Sequence, residues 1–280
     1  MQTVYLVNSA TNLFKQYINS ENTRAFAIQR CMRTQELDDY YSEKNERQYP
    51  TCFVSFGAYV SKRYIKNLVD DTPSYLLSIG FRLPKVRVRV SETDKMLINL
   101  IEACLVKVKQ QIDTQSEKYS HHYGGAITGR SIKIDYYHDN LSRYKNIGYI
   151  IAMYNGNHLC GAEFATSDAL LLLRLKGLEY AIVVSKIADL LPTKEFAQRR
   201  LADSIVAVVN LTVEGVRPNS SNMSGRILKK YLNALSVFGN KLEYSIEEIA
   251  DLYRRFMQME YAISSQEYYE QFFSYLQKYY

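Results

Sequence analysis

Tryptophan is absent from this 280-residue chain, and proline and glycine are scarce, at 5 and 12 residues. Collagen-like and Pro/Gly-rich low-complexity architectures are thereby excluded. The four cysteines, Cys31, Cys52, Cys104 and Cys160, lie dozens of residues apart. Structural zinc needs close pairs that bring two thiolates onto one ion, so these read as reduced thiols, mostly small core residues. Uncharged apolar runs such as Ala169–Leu173 fall far short of the roughly 20 residues that cross a bilayer. No membrane partner is expected. The opening stretch Met1-Gln2-Thr3-Val4-Tyr5-Leu6-Val7-Asn8 lacks the basic and apolar regions of a secretory signal, so a cytoplasmic location, in a cell or within a virion, is expected.

Catalytic signatures are missing too. There is no HExxH or HxH, and no serine-nucleophile or kinase motif. His121-His122 and His138-Asp139, with Asp135, are the only imaginable metal or general-base group, and they read better as exposed loop histidines. Gly124-Gly125-Ala126-Ile127-Thr128-Gly129-Arg130 has the glycines of a phosphate loop. It lacks the Gly-Lys-Ser/Thr and precedes a strand where a phosphate loop opens a helix. The sequence therefore predicts no enzyme, no catalytic residue, no cofactor and no metal.

What the chain has is tyrosine, 25 residues of it, and a net charge of +6. Hydrophobic residues at 47% and charged residues at 23% describe a globular chain able to bury a core, which disfavours disorder. The pattern predicts an α+β fold. Its parts are an N-terminal helical segment over 1–50, a β-rich unit over 51–191 and a C-terminal helical layer over 192–280.

In the first part, Thr11 caps a segment carrying Leu13, Phe14, Tyr17 and Ile18, and Asn22 or Thr23 a second carrying Phe26, Ile28, Cys31 and Met32. Acidic residues from Glu36 to Glu46 suit a solvated connection ending near Arg47. Strands are expected at Cys52–Val60 and Tyr75–Phe81, separated by the turn signal Asp70-Asp71-Thr72-Pro73. The clearest strand is Lys85-Val86-Arg87-Val88-Arg89-Val90, whose period of two sends the valines to one face and Lys85, Arg87 and Arg89 to the other. A helix capped within Ser91–Asp94 should follow, then a polar stretch Gln110–Tyr123.

Ser131–His138 alternates Ile132, Ile134 and Tyr136 against Lys133, Asp135 and Tyr137, and Ile147–Tyr154 and His158–Phe164 flank the hairpin turn Asn155-Gly156. Three antiparallel strands follow from this, then a helix from Ala169 to about Leu191 closed by Pro192. Further helices are expected over about 193–209 and 224–238, after the capping box Ser245-Ile246-Glu247-Glu248, and from near Ser264 to the end. Val88–Val108 can be overlaid on Ala162–Ile182, so a strand-strand-strand-helix unit would occur twice, at low side-chain identity.

The charge surplus is local. From Tyr59 to Lys133 there are 13 Lys and Arg against 7 Asp and Glu, which is the whole excess of the chain. Lys62, Arg63, Arg82, Lys85, Arg87, Arg89 and Lys133, interleaved with Tyr59, Tyr64 and Tyr137, are the candidate nucleic-acid-binding residues. Cations follow phosphates while tyrosine rings stack on bases. Tyr268, Tyr269, Phe272, Phe273 and Leu276 form an aromatic stripe on the last helix and are the candidate oligomerisation residues. In layout, residues 51 to 190 resemble the Whirly single-strand DNA-binding fold, which implies a nucleic-acid-binding sheet. No functional residue carries over, because the Lys-Gly-Lys-Ala motif has no counterpart here.

The sequence thus favours a self-associating protein, phage or viral in style, that binds single-stranded DNA or RNA without sequence specificity. A structural or assembly protein, such as a virion or nucleocapsid subunit with tyrosine-rich contact surfaces, is the second reading.

Overall fold

The computed structural model describes residues 11–34, 37–44, 46 and 48–280; Glu36 and Arg47 of the expected acidic connection, and the capping side chain of Thr11, lie outside the described residues. The fold is α+β, with a mainly antiparallel sheet and a set of helices in the last third. The chain forms two compact units. One comprises residues 11–29 with 54–178, the other 30–53 with 179–280. Both are discontinuous, unlike the consecutive stretches 1–50, 51–191 and 192–280. No helix among the described residues is long and apolar enough to cross a membrane.

The first unit is built on an eight-stranded sheet. Its strands are β1 (Arg24–Met32), β2 (Cys52–Ser61), β3 (Val86–Ser91), β4 (Lys109–Asp113), β5 (Ser120–His122), β6 (Ile127–His138), β7 (Arg143–Asn155) and β8 (His158–Ser167). Their order is β1-β2-β8-β7-β6-β3-β4, with β5 beside β6. Strands β3 and β4 pair in parallel, with Arg87 opposite Lys109.

A short helix, α1 (Thr11–Phe14), precedes β1, and one face of the sheet is apolar and covered. Val86, Val88, Val90, Ile132, Ile134, Ile150 and Ala162 bury against Ile65, Val69 and Leu76 of α2 (Ile65–Ser78) and against Leu97 and Ile101 of α3 (Lys95–Cys104). On the opposite face Phe14 and Ile18 cover Tyr59, Ile151 and Met153, and Phe14 stacks on Tyr59 at 5.9 Å. Beyond that cover, the second face is polar. The hairpin β7–β8 turns at Asn155-Gly156 as its sequence predicts, with Gly156 at φ 58°, where a side chain would be strained.

Four local expectations are corrected. Residues 24–32 are a strand, because exposure alternates with period two along Arg24, Ala25, Phe26, Ala27 and Ile28; the expected second N-terminal helix does not form. Tyr75–Phe81 is helical up to Ser78, and Pro73 sits inside α2. Ile65, Val69, Thr72 and Leu76 are buried at spacings of three and four, and the Thr72 hydroxyl satisfies the Leu68 carbonyl at 2.8 Å. The helix after β8 is α4 (Asp168–Leu175), capped by Ser167, and stops well before Leu191. Gly177 at φ 64° ends it, with Leu178 N–H closing on the Leu173 carbonyl at 2.8 Å. Because a helix replaces the second expected strand, the repeated strand-strand-strand-helix unit, and with it the Whirly-like layout, is not present. One sheet serves the whole unit.

The second unit is helical. It contains α5 (Phe196–Val213), α6 (Met223–Lys241), α7 (Ile246–Tyr261) and α8 (Gln266–Leu276). The capping box at Ser245 forms as expected, Ser245 Oγ accepting from Glu248 N–H at 3.2 Å and Glu248 accepting from Ser245 N–H at 2.7 Å. Asp203 of α5 ties residues 40–51 to this layer. Buried at 4% exposure, it accepts from Thr51 N–H at 2.7 Å, from the Thr51 hydroxyl at 2.6 Å and from the Tyr40 hydroxyl at 2.9 Å.

Candidate nucleic-acid interface

Strand β3 splits its side chains as the alternation predicts: the valines enter the core, and Arg87 and Arg89 reach the polar face. Register then decides what they meet. Arg87 pairs across β6 with Asp135, and Arg89 with Lys133. Asp135, with a side chain only 2% exposed, accepts from Arg87 Nη2 at 2.8 Å and from Arg89 Nε at 2.6 Å. Arg89 also donates to Asp113 at 3.1 Å, and Arg87 to Gln111 Oε1 at 2.8 Å, both on β4. The two arginines named from sequence are therefore held in an ion-pair network, not free on an open face.

Around the network lies a belt of rings and lysines. The Arg87 guanidinium lies 4.0 Å from the Tyr144 ring centroid, and the ammonium of exposed Lys109 approaches the same ring at 5.6 Å. Tyr137 meets Tyr144 edge to face at 5.2 Å. Lys133 sits 4.8 Å over the ring of buried Tyr119. Neither Lys109 nor Lys133 makes an ion pair among the described residues. Burial, reinforced by the Arg89 charge, lowers the Lys133 pKa. Burial and a hydrogen bond to Asp113 push the Tyr119 hydroxyl well up. For Asp113 burial acts upward, but hydrogen bonds from Tyr119 and Gln111 and the Arg89 charge outweigh it and hold the carboxyl below its usual range. Four cations, Arg87, Arg89, Lys109 and Lys133, against Asp113 and Asp135 leave the cluster two positive charges.

The remaining candidates are dispersed. Lys85 is paired with Asp139, and Arg82 is exposed. Lys62 and Arg63 follow β2, exposed, with the Arg63 guanidinium 4.7 Å and that of Arg24 4.2 Å from the Tyr64 ring. Tyr59 is fully buried and stacked beneath Phe14, so it cannot present its ring to a base. Burial, then nearby Cys160, pushes its hydroxyl up to about 12.

The aromatic stripe of α8 also needs correcting as a docking arm. Phe272 and Leu276 are buried in their own helical unit, where Phe272 stacks on Tyr253 at 3.9 Å. Tyr268, Tyr269 and Phe273 pack partly buried on the same core.

His121 and His138 are not the exposed loop residues expected, whereas His122 is exposed, at the end of β5. His138 is 3% exposed on β6, and His121 of β5 stacks on Tyr123 at 6.2 Å. Burial, then the Lys133 and Arg130 charges, lowers the His121 pKa to about 4. All four cysteines are free, and among the described residues no group of His, Cys, Asp and Glu is placed to hold a metal ion.

Sequence reasoning did not single out Tyr144, Lys109 and Tyr119 as site residues. The Lys133/Asp135/Tyr137 alternation did place three members on one face. Tyr144 was hidden by a bulge, since Ile134 pairs with Gly148 while Asp135 pairs with Asn146, leaving Ile147 extra. No protein-family model matches the chain, and no curated protein sequence matches it significantly.

Proposed function

We propose that the protein binds single-stranded nucleic acid, without sequence specificity, through the polar face formed by β3, β4, β6 and β7. One observation carries this reading: Lys109 and Lys133, without acidic partners among the described residues, flank the Arg87–Tyr144 stack and its neighbour Tyr137. The lysines would follow phosphates and the half-buried tyrosines would offer ring faces to bases, while the Asp135 network fixes the arginines in place. Fluorescence anisotropy with an oligothymidylate across a salt series tests it. Affinity should fall linearly in log–log form with salt, and Lys109→Gln should lower the slope by about 0.7, the value of one single-strand phosphate contact. Absent binding at low salt, or binding indifferent to salt, overturns the proposal.

A structural or assembly role is the second reading. It is favoured by β1, the outermost strand of the sheet among the described residues, where Phe26 is 68% and Ile28 64% exposed. An apolar strand at the edge of a sheet is a template for pairing with another chain. Light scattering should show an oligomer that Phe26→Lys dissociates; a wild-type monomer at high concentration removes this reading.

A further inference from the structure

At the end of the sheet unit, a groove of about 500 Å³ opens between residues 18–21, the start of the turn after β2, and the β7–β8 hairpin. Its walls differ in character. Ile18 and Cys160, 4% and 6% exposed, and Leu159 make an apolar floor, while Lys62, Arg63 and His158 contribute three basic groups to the lining. Glu21 is its one acidic lining residue. Lys62 and Arg63 make no ion pair among the described residues, so their charges are not consumed by the protein itself.

The groove is also fastened in shape. The Ser61 hydroxyl donates to the Ser20 carbonyl at 2.5 Å and accepts from Thr23 N–H at 2.7 Å, and Ser61 N–H donates to the Thr23 carbonyl at 2.9 Å. The Tyr64 hydroxyl donates to Asn22 Oδ1 at 2.6 Å, while Arg63 and Arg24 pack on its ring. The 18–23 segment is thus tied to the residues that carry Lys62 and Arg63, and the cavity does not have to be assembled around a ligand. Concave shape, an apolar floor and a few convergent polar groups are the usual marks of a small-molecule site, and this volume lies in the usual range.

We propose that this groove binds a nucleoside phosphate, with the phosphate on Lys62, Arg63 and His158 and the base on the apolar floor of Ile18, Leu159 and Cys160. Charge-assisted hydrogen bonds to phosphate give the specificity for the anion, and the floor selects a flat apolar body over inorganic phosphate. The nucleotide is either free or the 5′-terminal residue of a polynucleotide. The site is separate from the β3–β4 cluster and does not depend on it.

Calorimetry on the full chain with adenosine monophosphate and adenosine tests this directly. The monophosphate should bind saturably and adenosine at least about tenfold more weakly, the loss expected when charged phosphate contacts are removed. Lys62→Glu with Arg63→Glu, both at exposed positions, should weaken the monophosphate by at least about tenfold while circular dichroism stays unchanged. Competition by a 5′-phosphorylated oligonucleotide, but not by its 5′-hydroxyl twin, supports the site with a terminal nucleotide as ligand; competition by neither supports it with a free nucleotide. No saturable binding, equal binding of adenosine, or indifference to the double substitution overturns it. Lys109→Gln should leave monophosphate binding unchanged, so failure here and failure of the sheet interface are told apart.

Discussion

The Arg87 guanidinium donates to Asp135 at 2.8 Å while lying 4.0 Å from the centre of the Tyr144 ring. One buried carboxylate thereby positions a cation against an aromatic face, and it does the same for Arg89 at 2.6 Å. Removing it leaves the partly buried Arg87 guanidinium without its anion and Arg89 with Asp113 alone, which costs more than deleting an exposed ion pair. Asp135→Asn should destabilise the protein by about 2–4 kcal/mol in urea unfolding. The same substitution adds one positive charge to the cluster, so oligonucleotide affinity at low salt should rise. A variant that is both as stable as wild type and no tighter in binding contradicts this role for Asp135.

Charge reversal at Arg87 or Arg89, the obvious test from sequence, is a poor one. A glutamate at 87 would face Asp135 across the register, and one at 89 would replace a guanidinium that donates to Asp135 at 2.6 Å, so either would repel it. Arg89→Glu is expected to lower stability by about 3 kcal/mol or more, so that any lost binding reports unfolding. Lys109→Gln, at an exposed edge position, should change the melting temperature by less than about 2 °C. Thermal melts of the two variants side by side check the contrast.

Asp203 should be the most sensitive polar position of the helical unit. Asp203→Ala strands Thr51 N–H in a buried setting and takes an acceptor from the Thr51 and Tyr40 hydroxyls. A loss of about 3 kcal/mol is expected. Hydrogen exchange should localise the damage to residues 40–51, and unchanged protection there counts against the tie.

Phe272 contributes packing, not association. Phe272→Ala empties a fully buried site against Tyr253 and should cost about 3–5 kcal/mol. Light scattering should meanwhile give the same mass for variant and wild type. A change of oligomeric state without loss of stability would restore the docking-arm reading of α8.

The His121 ring should stay neutral in the folded protein until the pH nears 4, against 6.5 for an unperturbed ring. Between those values the unfolded chain takes up a proton that the folded one does not. Stability from this group is therefore complete above about pH 6.5 and is lost as pH falls towards 4, by at most about 3 kcal/mol. His121→Gln should flatten that part of the pH–stability curve, and NMR titration of the ring reads the pKa itself.

Much of the architecture was legible in local pattern. The valines of β3, the Asn155-Gly156 turn and the Ser245 capping box each state a short-range preference that the fold keeps. Misreadings fell where local and longer-range signals disagree. Pro73 with its acidic neighbours resembles a turn, yet burial at Val69 and Leu76 holds the helix through it. Phe26 and Ile28 fit a helical stripe, but they lie on one exposed side of a strand. The basic face of β3 was readable, whereas its neutralisation was not, because Asp135 and Asp113 arrive from β6 and β4 through pairing that no single stretch encodes.

The extra residue in β7 has a consequence for how this site could change over time. Two-residue periodicity assigns every side chain of a strand by its distance from a reference position, so an odd insertion inverts the parity of everything on one side of it. Ile147 is that insertion, and Asn146 and Tyr144, before it, lie on the side occupied by Asp135 and Arg87. Loss of this single codon would close the bulge and leave Asn146 opposite Asp135, Lys145 opposite Tyr136 and Tyr144 opposite Tyr137. The aromatic partner of Arg87 is thus secured by pairing on both sides of the extra residue, and the bulge marks the place where β7 can lose a residue without moving the ring.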